Sequence, residues 1–349
     1  MTTSQKLLTN ALPEVLIHAQ SVAKAGVQDT SLLASGPVLF SLQGMQLIEI
    51  AGRDRSRFLH AMLSADIASL ATGEGAWATF NDVKGRTISD LRLLVVDDDR
   101  KDGSMLALVE SGAREVLTEA LDKFIIAEKV YFENLESHSL WLLAGDYEKS
   151  LVSTGASLPK DGLLAHHVAQ VGGAEVRLVR LDRSHAEARD LLLIVATSDE
   201  ELMLNALSAV PRGDSVLLEA ARIESGQPRF GIDFTRANIP LEAGLADRAL
   251  NFNKGCYPGQ EVICRINSLG APARRLMRLS IAADAAPEPA SLLFRNGKEV
   301  GYITSAVRSQ RLGYVVALGY VGKRHCDKGT ELQIAEPESV TSAQVGDAV

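Results

Sequence analysis

Cysteine, long apolar runs and basic charge are all scarce in this sequence of 349 residues, and each scarcity excludes a class of protein. The three cysteines, Cys256, Cys264 and Cys326, are an odd number without the pattern of a disulfide framework, which is typical of a reducing compartment. No eighteen apolar residues follow one another, so the sequence predicts no membrane span. Acidic residues outnumber basic ones by 44 to 36, and the net charge of −8 argues against direct binding of nucleic acid, except through a local basic patch.

The amino-terminal region lacks the usual targeting signals. Lys6 is followed by an apolar stretch that Pro13 and Glu14 interrupt too early for a secretory signal peptide. The first thirty residues contain no arginine and include two acids, whereas mitochondrial presequences are rich in arginine and poor in acids. We therefore expect a cytoplasmic protein.

What the sequence does contain is the composition and periodicity of a folded protein with helices and strands. Apolar residues make up 46% and charged residues 23% of the chain, and the length corresponds to two or three domains of roughly 150 residues each. Strands are predicted at 75–81, 87–96 and 105–109. Residues 38–50 are interpreted as two short strands joined at a Gln-Gly turn.

A strand followed by a serine and a helix occurs twice in the chain. Residues 105–109 precede Ser111, residues 191–196 precede Ser198, and each serine is predicted to cap the helix that follows. The two units begin 198 − 111 = 87 residues apart, which favours a duplicated half-domain over a short repeat. A further helix is predicted at 216–225.

The carboxy-terminal part changes character twice. Residues 226–260 are rich in glycine, proline and asparagine, and a long loop of this kind is often functional. After Pro272 come short apolar runs separated by turns, with a hairpin signal at Asn296-Gly297, and this pattern predicts a small β-barrel or sandwich. We expect residues 337–349 to form a loose tail.

The segment from Asn253 to Glu261 carries the strongest chemical signal. Two glycines and a proline fix the backbone around Cys256, and a cation at Lys254 or Arg265, if close in space, would stabilise the thiolate and lower the pKa of the thiol. Such a thiol is a nucleophile or a metal ligand. The alternative is a small cysteine that merely packs within a loop.

Several blocks of the sequence resemble the YgfZ family of folate-binding proteins, which includes mitochondrial iron–sulfur assembly factors. The octapeptide KGCYPGQE is similar to the family signature, and ARIESGQPRFGIDF, followed by IPLEAGL, is similar to the stretch before that signature. This stretch also resembles, more distantly, the aminomethyltransferase T protein of the glycine cleavage system. The blocks IEIAGRDRSRFLHAMLSADI, DVKGRTISDLRLLV, GYITSA and VVALGYV match in order and spacing, so the resemblance covers most of residues 45–321.

The resemblance implies an α+β fold. In this fold a duplicated, ferredoxin-like and aminomethyltransferase-like folate-binding portion precedes a C-terminal β-barrel, and both surround a central opening. We therefore divide the chain into an N-terminal extension at 1–36, a folate-binding portion with two similar halves at 37–270, a barrel at 271–336 and a flexible tail at 337–349.

The resemblance also implies a site for tetrahydrofolate. The acid that holds folate in the T protein corresponds to Glu224, and a carboxylate suits the donor edge of a pterin because it accepts two hydrogen bonds. The alternative is that Glu224 ends a helix and points to water. Gln260 and Glu261 either orient polar edges of the ligand or satisfy the loop backbone. The predicted ligand contacts are Glu224, Arg222, Gly255, Tyr257, Gly259, Gln260, Glu261 and Arg265.

The expectation of one-carbon transfer chemistry depends on Asp90. Enzymes of the T-protein type carry two adjacent aspartates on the strand after a glycine-rich turn, where this sequence has Ser89 and Asp90. Because one carboxylate is missing, the case for one-carbon transfer is weakened. Asp90 stays a candidate for holding folate, and the alternative is a surface residue paired with Arg86 or Arg92.

These residues lead to one main hypothesis and two alternatives. The main hypothesis is a tetrahydrofolate-binding accessory factor for the assembly or repair of iron–sulfur proteins, including radical enzymes that modify tRNA. In it Cys256, with Lys254 and Asp90 as further catalytic candidates, lies at the rim of the folate opening near Glu224 and ligates a cluster shared with a carrier or client protein. The alternatives are a folate-dependent aminomethyltransferase, with Asp90 as the surviving acid, and a protein that binds tRNA directly.

Overall fold

The computed structural model describes residues 8–97, 99, 103–182, 189–335 and 340–349, which contain three β-sheets and short connecting helices. The helices are α1 (Pro13–Lys24), α2 (Leu32–Ser35), α3 (Arg55–Met62), α4 (Arg114–Asp122), α5 (Glu148–Val152), α6 (Glu200–Ala206), α7 (Ser215–Ser225), α8 (Ala246–Ala249) and α9 (Gln260–Ser268). The strands are β1 (Val27–Gln28), β2 (Val38–Ser41), β3 (Met45–Ala51), β4 (Gly75–Asn81), β5 (Thr87–Val95), β6 (Ser104–Glu110), β7 (Tyr131–Asn134), β8 (His138–Ala144), β9 (His166–Val171), β10 (Ala174–Asp182), β11 (Arg189–Ala196), β12 (Arg274–Ile281), β13 (Leu292–Arg295), β14 (Lys298–Ser309), β15 (Val315–Gly322), β16 (Glu331–Ala335) and β17 (Val340–Ala348).

Among the described residues, the first sheet consists of five antiparallel strands in the order β4-β5-β6-β3-β7. Helices α3 and α4 pack against it because their apolar residues recur at helical spacing. Phe58 and Leu59 of α3, like Leu117 and Leu121 of α4, are buried in one core with the strands. This core holds the first half of the duplicated portion together.

The second sheet repeats the arrangement of the first. Within the residues that the structure describes, its strands have the order β9-β10-β11-β8-β2. Strands β9, β10, β11 and β8 therefore take the places that β4, β5, β6 and β3 have in the first sheet. A helix follows β11, as a helix follows β6. The shared strand order confirms the predicted duplication.

The fifth strand of each sheet comes from a different part of the chain. Strand β7 follows the first half, whereas β2 precedes it and pairs with β8 in the second sheet, with Val38 opposite Ala144. The two strands predicted within 38–50 therefore form, but they enter different sheets instead of pairing with each other. The local sequence pattern specifies these two strands. The strand with which β2 pairs depends on residues far away in the chain, since Val38 and Ala144 are 144 − 38 = 106 positions apart.

Two serines, Ser111 and Ser198, are predicted from the sequence to cap helices, but neither occupies an N-cap position. Ala113 occupies the N-cap position of α4, and Asp199 occupies that of α6. The Ser111 hydroxyl instead donates a hydrogen bond to a carboxylate oxygen of Glu14 at 2.5 Å. The Ser198 hydroxyl donates to Oδ1 of the adjacent Asp199 at 3.3 Å. The predicted caps are therefore wrong, and each serine uses its hydroxyl on another side chain.

The described carboxy-terminal residues form a closed barrel of six strands. Their order is β14-β13-β16-β17-β12-β15, and the pairing of β15 with β14 closes the ring. Aliphatic side chains fill the interior, among them Leu279, Leu293, Ile303, Val321 and Ile334. The predicted C-terminal barrel is confirmed.

The tail predicted at 337–349 is wrong, because residues 340–348 form a barrel strand. This strand, β17, pairs with both β12 and β16, and Val345 is only 1% exposed. The chain end is also packed, since a Cβ added at Gly244 would lie 2.1 Å from the carbonyl oxygen of Val349. The barrel therefore extends well past residue 336.

Helix α7 connects the two sheets to the barrel. Ala220 and Ile223 pack against barrel residues, and Ala221 packs against β2 and β8. Val22 of α1 joins the same cluster as Ala220, and β1 pairs in parallel with β14. The amino-terminal extension is thus tied to both α7 and the barrel. The predicted helix at 216–225 is confirmed, and it ends at Gly226 with a left-handed φ of 73°.

Replacing Val345 by Asp should destabilise the protein by about 3 kcal/mol, because it places a carboxylate without a partner inside the barrel. The adjacent Gln344 is exposed on the opposite face of the strand. Gln344→Lys is therefore a control that also places a charge on this strand, opposite Glu331 of β16, and it should change the free energy of unfolding by less than about 0.5 kcal/mol. Urea unfolding followed by circular dichroism measures both values. Equal effects of the two substitutions would contradict the placement of β17 in the barrel wall.

Candidate functional site

A cavity of about 610 Å³ lies where the two five-stranded sheets, α1 and α7 meet. Its wall combines apolar and ionisable side chains, and both the strands and α7 contribute to each kind. The apolar lining residues include Leu42, Met45, Trp77, Leu108, Leu142 and Leu181. The ionisable ones include His18, Arg92, Glu110, Asp190, Glu219 and Arg222. A largely apolar cavity with a few convergent polar groups has the character of a small-molecule site. We call it the central cavity.

Three buried acids and two partly buried arginines form a continuous network along one side of the central cavity. Arg222 donates to both carboxylate oxygens of Glu219, at 2.9 and 2.7 Å, and to Oδ2 of Asp233 at 2.6 Å. Arg229 donates to Oε2 of Glu110 at 3.0 Å and to Oε2 of Glu219 at 3.5 Å. Glu219 therefore lies between two guanidinium groups. The network joins the end of β6 to α7 and to the loop after α7.

The network continues into the barrel through Asp233. The hydroxyl groups of Thr304 and Ser305 donate to Oδ1 of Asp233, at 2.5 and 2.8 Å, and Arg222 donates to the Ser305 hydroxyl oxygen at 3.1 Å. Asp233 is fully buried, and a buried charge is costly unless it is paired and hydrogen-bonded. The first half, α7 and the barrel therefore share one set of polar contacts.

Burial raises the pKa values of the acids beside the cavity, whereas pairing with arginine lowers them. Burial alone would raise the pKa of Glu219, but the guanidinium groups of Arg222 and Arg229 prevail and lower it to about 2. At Glu110 burial prevails over the attraction of Arg229, so the pKa of this acid is raised. Burial also raises the pKa of Asp90. Shifts of this kind are frequent at functional sites.

Asp90 lies on β5 beside the cavity wall. It is 5% exposed, and its carboxylate accepts a hydrogen bond from the indole N–H of Trp77 at 2.8 Å. Trp77 lines the central cavity, whereas Asp90 is not among the described residues that line it. The alternative of a surface residue paired with Arg86 or Arg92 is wrong, because the side chain of Asp90 is buried.

Lys254 anchors the loop that carries Cys256. We define this cysteine loop as residues 250–259, between α8 and α9. The ammonium group of Lys254 donates to the carbonyl oxygens of Leu63 at 2.6 Å and Ala65 at 3.0 Å, and to that of His60. These carbonyls lie at the end of α3 and just after it, where helix carbonyls lack partners within the helix. Burial lowers the pKa of Lys254 to about 8.

The rest of the cysteine loop packs against the turn between β4 and β5. A Cβ at Gly259 would lie 2.5 Å from the Asp82 carbonyl oxygen and 2.7 Å from Cα of Gly85, and Gly259 has a left-handed φ of 79°. Only glycine fits there. Tyr257 is buried beside Ile263 of α9, and burial raises its pKa to about 12.

Cys256 is exposed on this anchored loop. Gly255 next to it has open space around its Cα, and the Gln260 amide donates to a carbonyl oxygen of the loop at 3.5 Å. Glu261 and Arg265 are exposed on α9. The alternative of a cysteine packed within the loop is therefore wrong for Cys256.

The central cavity and the cysteine loop are separate sites. No described residue that lines the cavity belongs to the cysteine loop. Trp77 lies in the cavity wall, and the turn that the loop contacts begins at Asp82, five residues or about 17 Å further along the hairpin. The expectation that Cys256 lies at the rim of the folate opening is corrected accordingly. The cysteine loop contacts the far end of the β4–β5 hairpin through Gly259.

The structure also corrects the predicted place of Glu224 in the cavity. Its carboxylate oxygen Oε2 accepts hydrogen bonds from Thr30 at 2.7 Å and from Arg311 at 2.7 Å. These partners belong to the amino-terminal extension and to the loop after β14. Glu224 is buried, so it does not point to water either. Of the ligand contacts predicted from the sequence, Arg222 alone is found among the described residues that line the cavity.

Sequence reasoning missed most of the charged residues of the central cavity. Glu219 and Arg222 are three residues apart on a predicted helix, and that spacing lets an acid and an arginine pair, so this signal was available. Glu110 directly follows the strand predicted at 105–109. His18 and Arg229 reach the cavity only through long-range packing of α1 and of the loop after α7, which the local pattern does not specify.

The other two cysteines are half-buried. The Cys326 thiol donates to the carbonyl oxygen of Val321 at 3.3 Å, and burial raises its pKa. Across the described ranges, no three or more histidine, cysteine, aspartate or glutamate side chains are grouped so as to hold a metal ion. No described helix is both long and apolar enough to cross a membrane.

Cys256 should be the first thiol to react when the native protein is treated with iodoacetamide, because it is exposed whereas Cys264 and Cys326 are half-buried. Mass spectrometry of the cysteine peptides over time measures the three rates. Cys326→Ala is the matched control and should keep the fast reaction. A fast reaction that persists in Cys256→Ala would contradict this arrangement.

Comparisons with known proteins agree with this architecture. Residues 274–349 match the family model of the glycine cleavage T-protein C-terminal barrel domain. The structure of glycine cleavage system aminomethyltransferase T from Bartonella henselae matches with a TM-score of 0.78 at 19% identity, over 94% of this chain and 88% of that chain, so the two share a fold.

Two relatives cover most of the chain. A chloroplastic protein of Arabidopsis thaliana, whose name describes it provisionally as a transferase, is 28% identical over 320 residues, which are 89% of this chain and 71% of that protein. The tRNA-modifying protein YgfZ of Yersinia enterocolitica is 30% identical over 255 residues, which are 71% of this chain and 72% of that protein. This extent of identity, together with the signature around Cys256, shows that the chain belongs to the YgfZ family.

Proposed function

We propose that this protein binds a tetrahydrofolate and acts as an accessory factor in the assembly or repair of iron–sulfur proteins. The observation that carries the proposal is the combination of a ligand-sized cavity with a separate, exposed thiol on an anchored loop. The cavity binds the folate, and Cys256 ligates or exchanges a cluster with a partner protein. Relatives are named tRNA-modifying proteins, so we propose iron–sulfur enzymes that modify tRNA as clients.

The central cavity suits a tetrahydrofolate in size and chemistry. Its volume of about 610 Å³ lies within the range of about 300–1,000 Å³ that is usual for small-molecule sites. Trp77 and the leucines of the strands offer apolar surface to a flat ring. Asp190 contributes a buried carboxylate, the group that accepts hydrogen bonds from the amino and ring N–H edge of a pterin. A bound folate supplies a carrier for one-carbon units, and the residues of this chain bind and orient it.

The cysteine loop suits a shared cluster better than a resident one. Protein-bound iron–sulfur clusters are usually held by four thiolates, and this chain has three cysteines, of which Cys264 and Cys326 are half-buried. A carrier or client protein therefore supplies the remaining ligands of a cluster bound at Cys256. Lys254 is a positioning residue in this scheme, because it holds the loop against α3.

The surroundings of Asp90 do not favour one-carbon transfer as a second function. That reaction needs proton transfer or charge stabilisation beside the reacting nitrogen. The Asp90 carboxylate is instead hydrogen-bonded to the Trp77 indole, and its neighbour in the chain is Ser89 where a second acid would be needed.

We expect a tetrahydrofolate to bind in the central cavity and not at Glu224. Ser41 lines the cavity, so Ser41→Trp fills part of it and should weaken the binding of 5-formyltetrahydrofolate by about tenfold or more. Glu224→Gln changes a buried acid outside the cavity and should leave the Kd unchanged. Isothermal titration calorimetry measures both. Weakened binding in Glu224→Gln together with unchanged binding in Ser41→Trp would place the ligand elsewhere.

Cells that carry Cys256→Ala as their sole copy of this protein should fail to maintain iron–sulfur enzymes that modify tRNA, because the exposed cluster ligand is lost. Mass spectrometry of the modified nucleosides in tRNA measures the effect. Cys326→Ala is the matched control, since that half-buried thiol lies against the barrel backbone, and it should support normal modification. Full rescue by Cys256→Ala would overturn the proposed role of the thiol.

A further inference from the structure

We propose that Arg92 is a ligand-binding residue of the central cavity and that it binds an oxygen acceptor of the folate. The inference rests on the proposed function, because it takes the ligand to be a folate. Such a ligand offers several oxygen acceptors. One is the carbonyl of the pterin ring, and the others, an amide carbonyl oxygen and the carboxylates, belong to the p-aminobenzoylglutamyl tail.

Arg92 is held at the cavity by the strand beside it. Trp77 and Arg92 lie opposite each other in the β4–β5 pair, and the guanidinium carbon is 4.6 Å from the centroid of the Trp77 ring. Stacking on an indole fixes the plane of a guanidinium group and leaves its N–H donors at the edge of that plane. Both side chains line the central cavity, so these donors are accessible to a ligand.

The other two arginines of the cavity wall are already paired. Arg222 is paired with Glu219, and Arg229 is paired with Glu110. Arg92, by contrast, makes no hydrogen bond and no salt bridge to any residue that the structure describes. A guanidinium group has five N–H donors, and polar groups in such a position are satisfied by water or by a ligand.

Two acids, Asp90 and Glu110, interact with the charge of Arg92, but neither accepts a hydrogen bond from it. Burial raises the pKa of Asp90 and of Glu110, and the positive charge of Arg92 acts against this effect at both acids. The Asp90 carboxylate also accepts the hydrogen bond from Trp77. The donors of the guanidinium group therefore stay available to an acceptor inside the cavity.

The competing interpretation is that Arg92 only packs on Trp77. The two interpretations differ in what happens to ligand affinity when the guanidinium group is removed. A lost hydrogen bond to a charged group should weaken binding by about tenfold to a hundredfold, whereas lost packing outside a ligand contact should leave the Kd unchanged.

The test measures the Kd of 5-formyltetrahydrofolate and of tetrahydrobiopterin by isothermal titration calorimetry. Tetrahydrobiopterin has the ring carbonyl but no glutamyl tail. The variants are Arg92→Met and Arg92→Gln, with Arg86→Met as the matched control, because Arg86 is exposed in the turn of the same hairpin. Thermal unfolding shows whether each variant is folded, and Arg92→Gln decides the matter should Arg92→Met fail to fold.

Weaker binding of both ligands to the Arg92 variants would support the inference and assign the ring carbonyl as the acceptor. Weaker binding of the folate alone would support it and assign an acceptor that tetrahydrobiopterin lacks, in the p-aminobenzoylglutamyl tail or in the formyl group. Unchanged Kd values in every Arg92 variant that folds, with normal binding by the unsubstituted protein, would overturn the inference and leave the proposed function intact. An unsubstituted protein that binds neither ligand would overturn the folate part of the proposed function, and this inference with it.

Discussion

A row of five largely buried charges holds the three parts of this protein together, namely Glu110, Arg229, Glu219, Arg222 and Asp233. Taking charges out of water costs several kcal/mol per ion, and this cost is recovered only when the geometry is good and the remaining hydrogen-bonding groups are satisfied. The two-pronged contact of Arg222 with Glu219 and the hydroxyl groups on Asp233 meet both conditions. The network fixes the distances between the first sheet, α7 and the barrel. The width of the central cavity depends on those distances.

How far the sequence predicts this fold depends on the range of the interactions involved. Local periodicity places a strand at 105–109 and a helix at 216–225, and the structure has them at Ser104–Glu110 and Ser215–Ser225. The sheet that β2 joins is decided by side chains far away in the chain, so it could not be predicted. Strand β17 (Val340–Ala348) contains few large apolar residues, and its sequence therefore carries little strand signal before its barrel partners are known.

The same distinction applies to the functional site. The exposed thiol of Cys256 could be predicted, because the glycines around it act locally. Which of the two acids on α7 faces the cavity could not be predicted. Glu219 and Glu224 are five residues apart on α7, which is about 140° around the helix axis, so they face different surroundings. The family resemblance pointed to Glu224, whereas the orientation of α7 between the sheets and the barrel turns Glu219 towards the cavity.

Strand β2 leaves the ribosome long before its partner exists. Val38 pairs opposite Ala144, 106 residues later, and at roughly 5–20 residues per second this is a wait of about 5–20 s. Strand β1 waits longer still, because Val27 pairs opposite Arg308. Throughout elongation the amino-terminal segment is an unpaired strand edge, the kind of surface that promotes aggregation and recruits chaperones. The part of the chain that is made first is thus among the last to be fixed in place.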